Sequence, residues 1–427
     1  MRHIPVKSLL VITVLFLSAS AAHVAWAEGW HLQIGGHNSL PASFLLVDKE
    51  AQKAHVVKKE NSLSITCSFP CTTGQVPGDK LIEDDKKTPE GVYFVGRKVT
   101  GLDYNEYGGT AYTLNYPNPV DRLRKKTGYG IWVHSKGHII TRNETVGCIA
   151  LNLNDLHQVG SSMLSGYPVV VTASASGDFS NSPEQAATAQ LLAQKVTKWA
   201  HLWSERSMGM FSMYDGPSYS LAQKNENFAS FTASKNHLFK ILPWVTVTAS
   251  NVQALPGPGY WVTWFKQMYL APNLSTEGIR RLYWQQINGE WLIVGMEWIP
   301  QKMGLVQNYL KEQEAAVLTI IESWQTAWQQ GNLDLYGEFY AQNSIQGKLY
   351  GKATLLAHKQ ELWGKRETRS ISLSEPEFSL VSAAKICVSM AQNYTDSSGY
   401  SDKGIKHLTF ERTGKGWLIT NEQWSRR

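Results

Sequence analysis

The chain has 427 residues, too many for one hydrophobic core and enough for two to four domains. With 43% hydrophobic and 18% charged residues, it is neither a disordered polymer nor a fibrous rod. Lysine plus arginine exceeds aspartate plus glutamate by 41 − 35 = 6, without the basic runs of a nucleic-acid tail, so no nucleic-acid partner is expected. At the start, Arg2 and Lys7 precede an apolar run from Leu9 to Leu17, and small residues follow as far as Ala25-Trp26-Ala27. A positive start, a short apolar stretch and an A-x-A end make residues 1–27 a secretory signal peptide, with cleavage expected after Ala27. The run is shorter than the roughly 20 residues of a membrane span, and no later stretch reaches that length, so no stable span is expected after cleavage.

Short strand patterns follow over residues 42–173: Ser43 to Val47, Ala54 to Val57, Gly91 to Val95, Gly130 to Val133 and Tyr167 to Thr172. Pro77-Gly78, Pro89 and Gly108-Gly109 punctuate them, which predicts a mostly β domain with irregular loops. Small polar residues between Ala175 and Pro183 read as a linker, and a second boundary falls near Pro300 to Gly304. The two remaining segments, 184–300 and 306–427, repeat one another. Trp199, Trp203, Phe211, Tyr214, Gln267 and Tyr269 match Trp324, Trp328, Tyr336, Phe339, Gln392 and Tyr394 at an offset of 125. Gly278, Leu282, Trp291 and Trp298 match Gly404, Leu408, Trp417 and Trp424 at an offset of 126. Two copies of one fold explain this, each a helix with its Trp pair at i, i+4 packed into a curved antiparallel sheet. The W-x3-W helix, the Gln-x-Tyr strand and the terminal Gly-x-Trp-x-Ile strand resemble the nuclear transport factor 2-like (SnoaL-like) fold. That resemblance implies two α+β cones, read here as binding, positioning or homodimerisation modules.

The chemistry concentrates between Gly130 and Asp155. Cys148 follows a glycine and precedes an apolar run, a setting for a nucleophilic thiol if a base or backbone N–H groups assist it. His134 ends an apolar strand and is the favoured base, with His138 in the following loop as the alternative. Two antiparallel strands joined by the intervening loop would bring ring and thiol together. Gly147 permits a turn in which the N–H groups of Gly147 and Cys148 face a developing oxyanion. The Ser135 carbonyl is a candidate to orient the imidazole.

This stretch is similar to the L,D-transpeptidase catalytic domain (YkuD fold), with its His, loop and [Ser/Thr]-His-Gly-Cys signature. Leu45-Leu46-Val47-Asp48, Thr73-Gly74, Gly78-Asp79-Lys80 and Asp85-x-x-Thr88-Pro89-Glu90-Gly91-Val92-Tyr93 match its upstream motifs. The resemblance implies a β-sandwich enzyme in which Cys148 is the nucleophile, His134 the base, Ser135 the orienting carbonyl, and Gly147 with Cys148 the oxyanion site. It also implies peptidoglycan stem peptides as substrate, a periplasmic or cell-envelope location, and no cofactor or metal. Val146 stands where the signature has its second histidine, Ser135 where glycine is usual, and Ala150 where many members have a polar residue. Thr145-x-Gly147-Cys148-Ile149-Ala150-Leu151 resembles the divergent branch that holds the cell-shape-determining L,D-carboxypeptidases and the YafK-type enzymes. The expectation is an exported cysteine enzyme that acts on stem tetrapeptides through a thioester, with acyl transfer, L,D-carboxypeptidase hydrolysis or hydrolysis of a lipoprotein–peptidoglycan amide as its outcome; a non-catalytic wall-binding module is the alternative.

Four residues between 99 and 128, Tyr104, Tyr107, Tyr112 and Tyr116, form either a lid or ordinary packing, with packing favoured. Cys67 and Cys71 lie too far apart in a straight strand for a disulfide, unless Pro70 bends it. Cys387 is expected in the core of the second cone, and the Asn143-Glu144-Thr145 sequon is taken as accidental.

Overall fold

The computed structural model describes residues 29–176, 179–180 and 182–426; the expected signal peptide lies outside the described residues. The first domain contains β1 (His31–Leu32), β2 (Ser43–Asp48), β3 (Lys53–Lys59), β4 (Leu63–Thr72) and β5 (Gly91–Thr100). It continues with α1 (Tyr104–Tyr107), β6 (Thr110–Leu114), α2 (Pro119–Leu123), β7 (Trp132–Ser135), β8 (Ile149–Leu151), α3 (Leu153–Gly160), β9 (Pro168–Thr172) and β10 (Ser174–Ala175). The expected sandwich is closed at both sides, because β4 and β5 each pair with strands of both sheets. The hydrogen-bonded order is β2-β3-β4-β8-β7-β6-β5-β9. Strand alternation sorts the apolar run of β2 between two cores. Leu45 and Val47 point into the barrel with Tyr93, Val133, Ile149 and Val171. Phe44 and Leu46 point outward, and they are as fully buried as the inward pair.

The cover on that outward face is the first cone. It holds α4 (Pro183–Ser204), α5 (Gly216–Ala222), α6 (Phe228–Ile241) and the antiparallel sheet β11 (Thr246–Gly257), β12 (Tyr260–Ala271), β13 (Leu274–Ile287) and β14 (Glu290–Pro300). Leu255, Tyr260, Val262, Trp264, Tyr283 and Val294 on the convex side of this sheet share one core with Phe44, Leu46, Val92, Phe94 and Val170 of the barrel. Each such side chain removed from water contributes about 1.5–3 kcal/mol, which joins barrel and cone into one body.

The second cone has α7 (Leu305–Gln330), α8 (Leu333–Glu338), β15 (Tyr340–Gln346), β16 (Leu349–Tyr350), α9 (Lys352–Lys365), β17 (Thr368–Leu373), β18 (Glu377–Ser382), β19 (Lys385–Asp396), β20 (Ser401–Thr413) and β21 (Gly416–Arg426). The duplication is visible atom by atom. Trp199 donates to the Tyr214 hydroxyl at 2.7 Å, and Trp324 to the Tyr340 hydroxyl at 2.9 Å. Gln267 is opposite Gly278, and Gln392 opposite Gly404. Tyr214 bridges Ile293 in parallel, as Tyr340 does Ile419. Tyr214 therefore corresponds to Tyr340, at offset 126, and not to Phe339 as the sequence spacing suggests. The intervening helices differ between the copies, so one offset does not hold along the chain.

The convex face of the second sheet carries Ser379, Lys385, Cys387, Ser389, Thr409 and Thr420 where the first carries its apolar set. Cys387 is thus half-buried on this outer face beside Thr409, not in the core as expected. The cones meet end to end. Both oxygens of Glu277 accept hydrogen bonds from the N-terminus of α7, from Met303 N (2.6 Å), Gly304 N (3.0 Å), Leu305 N (2.6 Å) and Val306 N (3.1 Å). Arg412 stacks on Trp244 at 4.3 Å, and Trp244 donates to the Arg412 carbonyl.

Candidate active site

Strand β7 carries His134, and Cys148 immediately precedes β8; the two strands run parallel rather than antiparallel, with Val133 opposite Ile149 and His134 opposite Ala150. Parallel neighbours need a crossover of a dozen residues or so, which the 136–148 segment supplies. It is anchored midway by the bridge between Gly74 and Thr145. Cys148 stands two residues before Ala150, at the entry to β8, and Ala150 sits beside His134. Imidazole and thiol therefore emerge on the same face.

His134 is buried, and its Nδ1 lies 2.7 Å from the Ser135 carbonyl. A carbonyl only accepts, so Nδ1 carries the proton and Nε2 is the free base. Burial lowers the imidazole pKa below its ordinary value, the Ser135 bond opposes this, and Lys136 adds to the lowering. Cys148 is half-buried; its Sγ approaches the Gly130 carbonyl at 3.4 Å and accepts from the Trp132 N–H. Burial pushes the thiol pKa up, against the Trp132 bond and the charges of Lys136 and Lys80. Both shifts favour the neutral forms of imidazole and thiol.

The Gly147 N–H donates to Thr145 Oγ1 at 3.2 Å. Of the two amides expected to face an oxyanion, only that of Cys148 is without a partner among the described residues. His138 instead pairs with Glu144 at 2.6 Å on the exposed side of the crossover. Val146, in the place of the signature's second histidine, is 67% exposed and forms part of the rim.

The tyrosine series divides. Tyr112 and Tyr116 belong to the barrel core, whereas Tyr104 is exposed and Tyr107 lies over the site. The Tyr107 ring is 5.1 Å from the His134 ring and 5.5 Å from that of Trp132. Two glycines let α1 come this close: a Cβ on Gly108 would overlap the Ser135 hydroxyl, and one on Gly137 would meet Asn105 at 2.8 Å. Sequence reasoning left Tyr107 among packing residues, and gave no role to Thr88, Thr145 or Lys136. Cys67 and Cys71 are free thiols on β4, which stays extended through Pro70 as it pairs with Lys53. No group of His, Cys, Asp or Glu among the described residues is arranged to hold a metal ion.

The cones differ inside. In the first, Arg280 donates to Gln267 at 2.9 Å in a filled interior. In the second, Lys406 pairs with Glu422 at 2.5 Å, Lys359 lies over Trp328 at 4.3 Å, and cavities of about 300 and 370 Å³ open beside them. Burial would raise the Glu422 pKa, yet the two lysines hold it at about 2; burial lowers that of Lys359 to about 8.

Comparison with known proteins accords with this layout. Residues 42–171 match the L,D-transpeptidase catalytic domain (YkuD), and residues 191–297 and 316–423 each match the Cds6 C-terminal NTF2-like domain. The chain thus carries the catalytic domain of the YkuD L,D-transpeptidase family in its first part and two Cds6-type NTF2-like domains after it, the layout of an L,D-transpeptidase-family cell-wall enzyme. It is similar to the solved structure of Bd1075 from Bdellovibrio bacteriovorus, at 23% identity and a TM-score of 0.51, over 64% of this chain and 98% of that one. It is also similar to the helical cell shape determining protein Pgp2 from Campylobacter jejuni, at 26% identity and a TM-score of 0.49, over 62% of this chain and 94% of that one. No curated protein matches the chain. No helix among the described residues is long and apolar enough to cross a membrane.

Proposed function

We propose that the protein is an exported peptidoglycan-modifying enzyme that uses Cys148 to open stem tetrapeptides. The sulfur attacks the carbonyl of the third residue, at its L-centre, while His134 Nε2 takes the thiol proton. The tetrahedral oxyanion faces the Cys148 N–H. As it collapses, the amide C–N bond breaks, His134 returns the proton to the leaving amine, and D-alanine departs from a thioester. A second acceptor, water or an amine, attacks the thioester, gives up its proton through His134 and restores the thiol. Water yields a tripeptide, and an amine yields a cross-link.

The observation that carries this reading is the Nδ1 contact of His134 with the Ser135 carbonyl, which presents Nε2 as a base on the face that bears Cys148. The test is to incubate the protein beginning at Glu28, and its Cys148→Ala variant, with tetrapeptide muropeptides and to resolve the products by mass. Cys148-dependent loss of D-alanine is expected, with tripeptide marking hydrolysis and dimers marking transfer. Identical profiles from the two proteins would refute the reading and leave a wall-binding module in its place.

A further inference from the structure

We propose that Thr88 is a positioning residue for acylation, because it sets the orientation of the peptide unit joining Gly147 to Cys148. The inference rests on the reading that Cys148 is acylated.

The Gly147 carbonyl and the Cys148 N–H belong to one planar unit and point in opposite directions. Whatever holds the carbonyl therefore aims the N–H. Thr88 Oγ1 donates to the Gly147 carbonyl at 3.0 Å and accepts from Gly74 N at 2.8 Å, so its hydroxyl is used in both directions. Its residue is fully buried, at 0% exposure. The flanking groups are held from the other side: Thr145 Oγ1 donates to the Cys148 carbonyl at 2.6 Å and accepts from Gly147 N at 3.2 Å. Thr88 is itself fixed, since its carbonyl accepts from Lys49 Nζ at 2.9 Å and Lys49 pairs with the buried Glu90 at 2.9 Å.

Such a restraint is needed here because Gly147 has φ +141, a region open to glycine and strained for other residues. A glycine before the cysteine makes rotation of the connecting peptide cheap, and the rotated form would turn the Cys148 N–H away from the sulfur's face. The Gly147 amide is already bonded to Thr145, so no second amide of this turn replaces it. Thr88 touches neither the sulfur nor the imidazole; within the turn it reaches the Gly147 carbonyl and, at 3.5 Å, the Cys148 carbonyl, so its effect passes through the backbone of these two residues.

Two reactions of the same sulfur separate this role from general support of the fold. Alkylation by iodoacetamide needs a thiolate and no oxyanion site, whereas acylation by a carbapenem passes through a tetrahedral oxyanion. Both are followed by intact mass for the full mature chain and its Thr88→Val, Thr88→Ala and Thr88→Ser variants. Losing one oxyanion donor lowers acyl transfer about 100-fold. Thr88→Val and Thr88→Ala are expected to acylate more slowly by about that factor while alkylating within about threefold of the parent, and Thr88→Ser should restore acylation. Unchanged acylation in either variant, or equal falls in both reactions, would overturn the role of Thr88 alone. A parent chain that alkylates at Cys148 but is never acylated there would overturn the proposed function, and this inference with it.

Discussion

Replacing Ser135 by alanine should make the protein more stable and leave it active. The residue works through its carbonyl, which orients His134, and that group survives the change. The side chain does the opposite of helping: Oγ is fully buried and has no partner among the described residues. An unsatisfied buried hydroxyl costs about 1–3 kcal/mol. Removing it leaves a void of roughly 10–20 Å³, worth about 0.3–0.5 kcal/mol in the other direction. The net gain is about 0.5–2.5 kcal/mol, or a rise of roughly 1–10 °C in the melting of the barrel. The neighbouring change makes the converse point. Gly108 caps α1 in the left-handed region at φ +59, and a Cβ there would overlap that same hydroxyl. Gly108→Ala should lose about 1–2 kcal/mol from the backbone alone, and more from the overlap. Part of that loss should return in the Gly108→Ala, Ser135→Ala double variant. Differential scanning calorimetry with Cys148 acylation rates reads both quantities. A tenfold fall in acylation by Ser135→Ala, or additive effects in the double variant, would show that the side chain is not what the packing makes it.

Three further outcomes follow from charge and burial. Tyr107→Ala uncovers the His134 ring, so its depressed pKa should rise toward 6.5 and the acid limb of the acylation profile should move up with it, while Tyr107→Phe keeps the limb in place; coincident limbs for parent and alanine variant would exclude this. Lys359 titrates near 8 in the fold against 10.5 when free, so the unfolded chain holds a proton that the folded chain releases between those values. Stability of the second cone should therefore rise with pH across that window, and Lys359→Met should abolish the rise and add about 1–3 kcal/mol at pH 7 in urea unfolding. A variant less stable than the parent would contradict it. Glu277→Gln removes the charge that meets four amides of α7 and should cost about 1 kcal/mol, seen as faster proteolysis near residues 301–304. The bonds to those amides hold the Glu277 pKa below its ordinary value against the effect of burial, so this contribution is intact above about pH 4.5 and fades below it; equal proteolysis of both proteins would rule it out.

Much of the architecture was legible because its signals are local. Periodicity separated the barrel strands from the W-x3-W helices, and the repeated Trp and Gln-x-Tyr positions exposed the duplication because both cones must fill the same interior. The glycine before Cys148 and the histidine ending a strand marked the site for a similar reason: a tight turn and a strand end are properties of a few adjacent residues. The direction of β7 against β8 was misread, since nothing within the 136–148 segment records that it crosses over the barrel edge. Thr88 and Tyr107 went without roles because their partners lie 59 and 27 residues away, and spacing carries no information about contacts made across a sheet.

Composition and pattern alone therefore determined a β domain, two related cones and a cysteine–histidine pair, all of which follow from short-range backbone preference and the burial of apolar side chains. Folding decided which cone docks. Only the first presents an apolar convex face, and the value of that face depends on Phe44, Leu46 and Phe94 standing opposite it. Folding also decided which atoms of the 145–148 turn remain free, because a hydroxyl or an amide has a role only once its partner is known.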